Sequence, residues 1–107
     1  MEIEGYIQLT TRIVPAEGGG FMGSCVELSY SAKGATIDET IANLRTELAA
    51  SLSYLHREEE LVDVLNWRGL PVTLAKPIEE RQVSVAPGSV VCLLVGTLMH
   101  NRVLFDS

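Results

Sequence analysis

The sequence predicts an α+β fold, a small antiparallel sheet (a β-β-β-α core plus C-terminal strands) packed against one long helix. Three observations carry this. Residues near the N-terminus alternate well, with Ile7, Leu9, Thr11 and Ile13 on one side and Tyr6, Gln8, Thr10 and Arg12 on the other. Ile37, Ile41, Leu44, Leu48, Leu52 and Leu55 then recur at intervals of four and three, which lines all six along one helical stripe about 27 Å long. Finally, Val90 to Leu98 is a β-branched and aliphatic run that follows a Pro87-Gly88 turn signal. With 107 residues the chain suits a single domain, residues 1–107, with one core.

The first strand covers Glu4 to Val14 and is stopped by Pro15. Gly18-Gly19-Gly20 can adopt positive φ and close a hairpin, so Phe21 to Leu28 returns as the second strand. A phosphate-binding loop is the competing reading of these glycines, but no Gly-Lys-Ser/Thr follows and no helix begins there. A short third strand, Ser29 to Lys33, ends at Gly34. Thr36 and Glu39 have the spacing of a capping box, and Asp38 and Glu39 suit the positive end of a helix. A second helix is expected over Arg57 to Asn66, with Glu58-Glu59-Glu60 as its acidic start and Trp67-Arg68-Gly69-Leu70-Pro71 as its stop. Arg81 to Ala86 alternates as a fourth strand, and Val90 to Leu98 reads as a strand buried on both faces or covered by another subunit. The tail from His100 to Ser107 carries no clear signal.

Composition narrows the function classes. Eight Lys plus Arg against fourteen Asp plus Glu leave a formal charge of −6, so the field of the free chain repels phosphate backbones and no direct nucleic-acid binding is expected. The longest apolar stretch is about half of what a membrane-crossing helix needs, and Met-Glu-Ile-Glu-Gly resembles no secretory signal. Membrane association is not expected, and a cytoplasmic location is. Cys25 and Cys92 are far apart and belong to no Cys-x-x-Cys or Cys/His cluster, which places both in the core as reduced thiols.

The inventory for catalysis is thin, and no enzyme is expected. Two histidines, His56 and His100, with no ligand-spaced cysteines leave a zinc site short of donors, so neither metal nor cofactor is expected. There is no Gly-x-Ser-x-Gly elbow, and neither cysteine stands in an activating context. The consecutive Glu58, Glu59 and Glu60 point in different directions around a helix and cannot all face one cation, so they read as a solvated helix start.

From Gly20 to Leu44 the residues also form a pattern. A glycine hairpin leads to an aromatic strand ending in Cys25-Val26-Glu27-Leu28, a short strand ends at Gly34, and Thr36-Ile37-Asp38-Glu39-Thr40 opens a helix bearing Asn43-Leu44. This pattern resembles the HicB-like antitoxin family, in which the corresponding signals are Cys-Pro-Glu-Leu, Gly, Thr-x-Glu-Glu-Ala and Asn-Leu. The chain departs from it at Val26, where Pro is usual, at Asp38 for the first Glu, and at Thr40 for Ala. The resemblance covers about residues 4–56. It implies a partial ribonuclease-H-like topology without that enzyme's chemistry, since the first strand lacks the metal-binding carboxylate between Ile7 and Ile13.

The resemblance further implies a partner, a small basic RNA-cleaving toxin of the HicA type, neutralised when its surface is masked. An acidic protein suits such a target because complementary potentials speed and orient encounter. Relatives that repress their own operon add a ribbon-helix-helix or helix-turn-helix segment; the chain after Ala75 reads as strands, so no separate DNA-binding domain is expected. Glu27, Leu28, Ser29, Tyr30 and Ser31, at the junction after the Cys-x-Glu-Leu signature, are the candidate partner-binding residues. The competing reading is that Leu28 packs and Glu27 solvates the turn. Gly34, Thr36 and Glu39 are expected to serve structure, and Asn43 either bonds a neighbouring loop or faces water. Unpaired strand edges make a homodimer or higher oligomer the second expectation, and a stand-alone oligomeric domain with no toxin partner is the alternative function.

Overall fold

The computed structural model describes residues 2–77 and 82–105. Its strands are β1 (Ile3–Pro15), β2 (Phe21–Cys25), β3 (Ser31–Gly34), β4 (Gln82–Ala86), β5 (Ser89–Met99) and β6 (Arg102–Leu104); the helices, between β3 and β4, are α1 (Ile37–Arg57) and α2 (Leu61–Trp67). All six strands join one antiparallel sheet in the order β3-β2-β1-β5-β4, with β6 also paired to β5. The fold is therefore α+β, with one long helix on the sheet.

β1 is the axis of the sheet because its alternation supplies a complete apolar face. Ile7, Leu9, Thr11 and Ile13 are all buried towards α1, and β5 runs against β1 from Ile3↔Met99 to Ile13↔Val90. The glycine turn has φ of 89°, 106° and 70° at Gly18, Gly19 and Gly20, a conformation that favours residues without Cβ. On β5, Val90, Cys92, Leu94 and Leu98 are buried on the helix side; of the opposite side, Val95 is buried and Val91, Leu93 and Thr97 are half-buried. Both cysteines are buried thiols outside any disulfide.

α1 starts where the capping signal places it, and the Thr36 hydroxyl accepts the Glu39 N–H at 3.1 Å. Ile41, Leu44, Leu48 and Leu52 are buried against the sheet, while Ile37 and Leu55 close the stripe half-buried at its ends. Each fully buried leucine contributes about 1.5 to 3 kcal/mol relative to exposure. This stripe is the main clamp between the helix and sheet layers.

The structure revises several boundaries. β2 stops at Cys25 rather than Leu28, and β3 begins at Ser31 rather than Ser29. Between them a tight turn, with the Tyr30 N–H donating to the Leu28 carbonyl at 2.8 Å, drives Leu28 into the core. The acidic triplet is not the first turn of the second helix. α1 runs through Arg57, Glu59 breaks it at φ 59°, and α2 starts only at Leu61. α2 ends as the glycine signal requires: Gly69 at φ 71° donates to the Asn66 carbonyl and Leu70 donates to the Leu65 carbonyl, a Schellman closure.

The expected fourth strand begins at Gln82, with Arg81 outside the described residues. The tail, which carries no clear signal in sequence, joins the core as far as residue 105, with Asp106 and Ser107 outside the described residues. Val103 and Phe105 are buried, and the Phe105 ring lies so close to Gly96 that a Cβ there would come within 2.8 Å of it. After Ala75 the described elements are all strands.

Candidate functional site

The junction Glu27 to Ser31 sits where β2 leaves β1. Thr11↔Cys25 is the last pair of that ladder. Beyond it the Val26 N–H donates to the Thr10 carbonyl at 2.8 Å, and the Glu27 Oε1 accepts the Thr10 N–H at 2.8 Å. The Glu27 side chain thus takes the place of the next strand residue, a charge-assisted bond that satisfies the edge of β1. Leu28 is buried in the core, and Tyr30 is half-buried against it. Ser29, Ser31 and Val26 are exposed. The five candidates are brought together in one turn, with Glu27 and Leu28 engaged inward and the two serines free to meet solvent.

Cys25 closes the inner side of this turn. Its Sγ lies 3.9 Å from the Glu27 Oε1. Burial pushes the Cys25 thiol up, and the neighbouring Glu27 carboxylate adds to that direction against opposing backbone hydrogen bonds. This is the environment of an inert thiol rather than of a nucleophile.

Gly34, Thr36, Glu39 and Asn43 form the joint between β3 and α1. A Cβ on Gly34 would stand 2.6 Å from the Thr40 amide nitrogen, so only glycine lets the helix start close on the strand. The Thr40 hydroxyl donates to the Thr36 carbonyl at 2.7 Å. The Asn43 amide donates to the Lys33 carbonyl at 2.7 Å, which decides between its two readings in favour of the bond.

Trp67, read in the sequence only as part of a helix stop, is 79 % exposed. It lies two positions beyond buried Leu65, roughly 200° around the helix, and so points away from the core. The Arg68 guanidinium sits 4.8 Å from the ring centroid and steadies one face of the indole. Asp63 lies one turn earlier on the same side of α2, and Glu58, Glu59 and Glu60 are exposed just before the helix. On the connection that follows, Leu74 is 86 % exposed. The sequence signal that could have found this surface is a large aromatic outside the Leu61/Leu65 stripe.

The described residues also line open grooves. One of about 580 Å³ is lined by Glu2, Arg57, Met99, His100, Asn101 and Arg102; another, about 470 Å³, lies between Gln8 and the 71–77 segment. Beside the first, His56 Nε2 is 3.0 Å from Glu4 Oε1 and 2.7 Å from the Met99 carbonyl, joining the ends of α1, β1 and β5. Among the described residues no three His, Cys, Asp or Glu side chains converge as metal ligands, and no helix is long and apolar enough to cross a membrane. Compared with family models, curated proteins and solved structures, the chain matches none.

Proposed function

We propose that the protein is an antitoxin-like binding module whose partner is a small basic RNA-cleaving protein of the HicA type, held by a contact that masks the partner's surface. The observation that carries this reading is Trp67, a large aromatic 79 % exposed, steadied by Arg68 and set one turn from Asp63. Large aromatics dominate the energy of protein interfaces when they enter a partner's pocket, and surrounding charges set orientation and encounter rate. Beyond the Arg68 cation on the ring, the α2 segment supplies acids, Asp63 in its first turn and exposed Glu58, Glu59 and Glu60 just before it, on a chain of net charge −6. A basic partner is the electrostatic complement. Exposed Ser29 and Ser31, which follow Cys25-Val26-Glu27-Leu28, are a second, smaller contact in this reading.

The test is co-expression with the product of an adjacent reading frame that encodes a small basic protein. A stable complex on size-exclusion chromatography and rescue of growth support the reading, and Trp67→Ala weakens the complex by tenfold or more, about 1.4 kcal/mol. No complex and no rescue overturn it.

A further inference from the structure

The groove of about 580 Å³ gathers positive charge on a chain whose overall balance is acidic. It lies where the start of β1, the end of α1 and the turn from β5 to β6 meet, and exposed Arg57, His100 and Arg102 line it. The chain has eight Lys plus Arg and two His, so a quarter of its permanent cations and half of its imidazoles border one opening. Against the two guanidinium groups the described lining sets one carboxylate, that of Glu2.

The parts of this groove are held in place by the fold. Met99↔Arg102 closes the β5–β6 hairpin, which makes His100 and Asn101 its tip and sets Arg102 directly across from Met99. His56 Nε2 lies 2.7 Å from the Met99 carbonyl and 3.0 Å from Glu4 Oε1, which ties the hairpin to α1 and β1 and gives the Glu4 carboxylate a partner outside the groove lining. Arg57 Nη1 donates to the Asn101 carbonyl at 3.4 Å, so one of its N–H donors steadies the hairpin tip and the rest of the fork is left for a ligand. A helix ending here would ordinarily add partial negative charge. At this end the N–H groups of Glu58, Glu59 and Glu60 turn back onto the carbonyls of Tyr54, His56 and Leu55, at 3.1, 3.2 and 2.9 Å, and satisfy them.

From this we infer that the groove is a binding site for the phosphate group of a small molecule, with Arg57 and Arg102 taking the phosphate oxygens and His100 standing at the hairpin tip as a further donor. Guanidinium forks match two oxygens of one phosphate at a time and keep their charge throughout the physiological range, so a pair of them favours phosphate over a spherical anion. The volume falls within the roughly 300 to 1,000 Å³ that small-molecule sites occupy. A chain of net charge −6 repels a nucleic acid along its many phosphates, whereas a single phosphate responds chiefly to the cations beside it. Glu2 opposes the bound dianion and keeps the affinity low enough for release.

The experiment titrates inorganic phosphate into the full chain at constant ionic strength and follows proton–nitrogen correlation spectra, arginine Nε–H signals included. Saturable shifts at Arg57, His100 and Arg102 are expected, and sodium chloride at the same ionic strength should not produce them. Arg57→Gln and Arg102→Gln should each weaken binding about tenfold with the circular dichroism spectrum unchanged, while Lys33→Gln, which removes a cation from β3, should not weaken it. Glu2→Gln should tighten binding severalfold, a gain that loss of a merely structural contact does not give. Glycerol 3-phosphate in place of inorganic phosphate separates the sources: tighter binding assigns the groove to a phosphate ester and equal binding to the phosphate group alone, and either supports the site. No saturable shift with either compound, arginine variants that bind like the parent, or a single-stranded oligonucleotide that binds this groove more tightly than both overturns the proposal. None of these outcomes depends on whether a basic protein partner exists.

Discussion

The Ser53 hydroxyl accepts the Val103 N–H at 2.8 Å and donates to the Val103 carbonyl at 3.2 Å, so one helix side chain supplies both missing ladder bonds on the outer edge of β6. Both residues are buried, so neither backbone group has water to turn to. Ser53→Ala should therefore cost about 1 to 3 kcal/mol, the desolvation penalty of unpaired buried groups. Urea denaturation should show a lower midpoint with an unchanged slope.

Glu27 tests the same principle on β1. Glu27→Gln retains an acceptor for the Thr10 N–H and should stay within about 0.5 kcal/mol of the parent, whereas Glu27→Ala should lose about 1 to 3 kcal/mol. Amide hydrogen exchange at Thr10 should accelerate in the alanine variant and not in the glutamine one.

Gly34 is required by space rather than by φ. In Gly34→Ala the new methyl meets backbone atoms of Thr40 and Glu39 at 2.6 and 2.9 Å, which cannot move without displacing the helix start. A loss of about 1 to 3 kcal/mol is expected, the usual cost of overpacking, measurable by thermal or chemical unfolding. Partner binding per folded molecule should be unchanged.

The Cys25 thiol is held above the ordinary value of 9.0 by burial first and by Glu27 second. The folded state then keeps the proton more tightly than the unfolded one, so the group's contribution to stability is complete below pH 9.0 and is lost as pH rises through the folded value. A cysteine alkylated by iodoacetamide only when the chain opens is the expected behaviour near neutrality. Rapid labelling of the native protein at pH 8 would contradict this environment.

Much of the fold was legible because its causes are local. The alternation of Ile7 to Ile13, the Thr36 cap, the Ile41 to Leu52 stripe and the Gly69 stop each act within one or two turns of chain, and all stand where the sequence placed them. The candidate site was only half legible. Glu27 to Ser31 do converge in one turn, but that Glu27 reaches into β1 depends on Thr10, 17 positions away. Trp67 was missed because a helix stop says nothing of which side of the helix meets the core.

By itself the sequence determined the layers, the helix start, the long apolar stripe and the acidic balance, since propensity, periodicity and charge belong to the chain before it folds. Only the tertiary structure decided that the tail joins the core, and that Glu27, Asn43 and Ser53 become substitutes for strand neighbours. Those bonds join residues 17, 10 and 50 positions apart. Their value arises only when folding has stripped water from a particular stretch of backbone, and no local pattern encodes which stretch that will be.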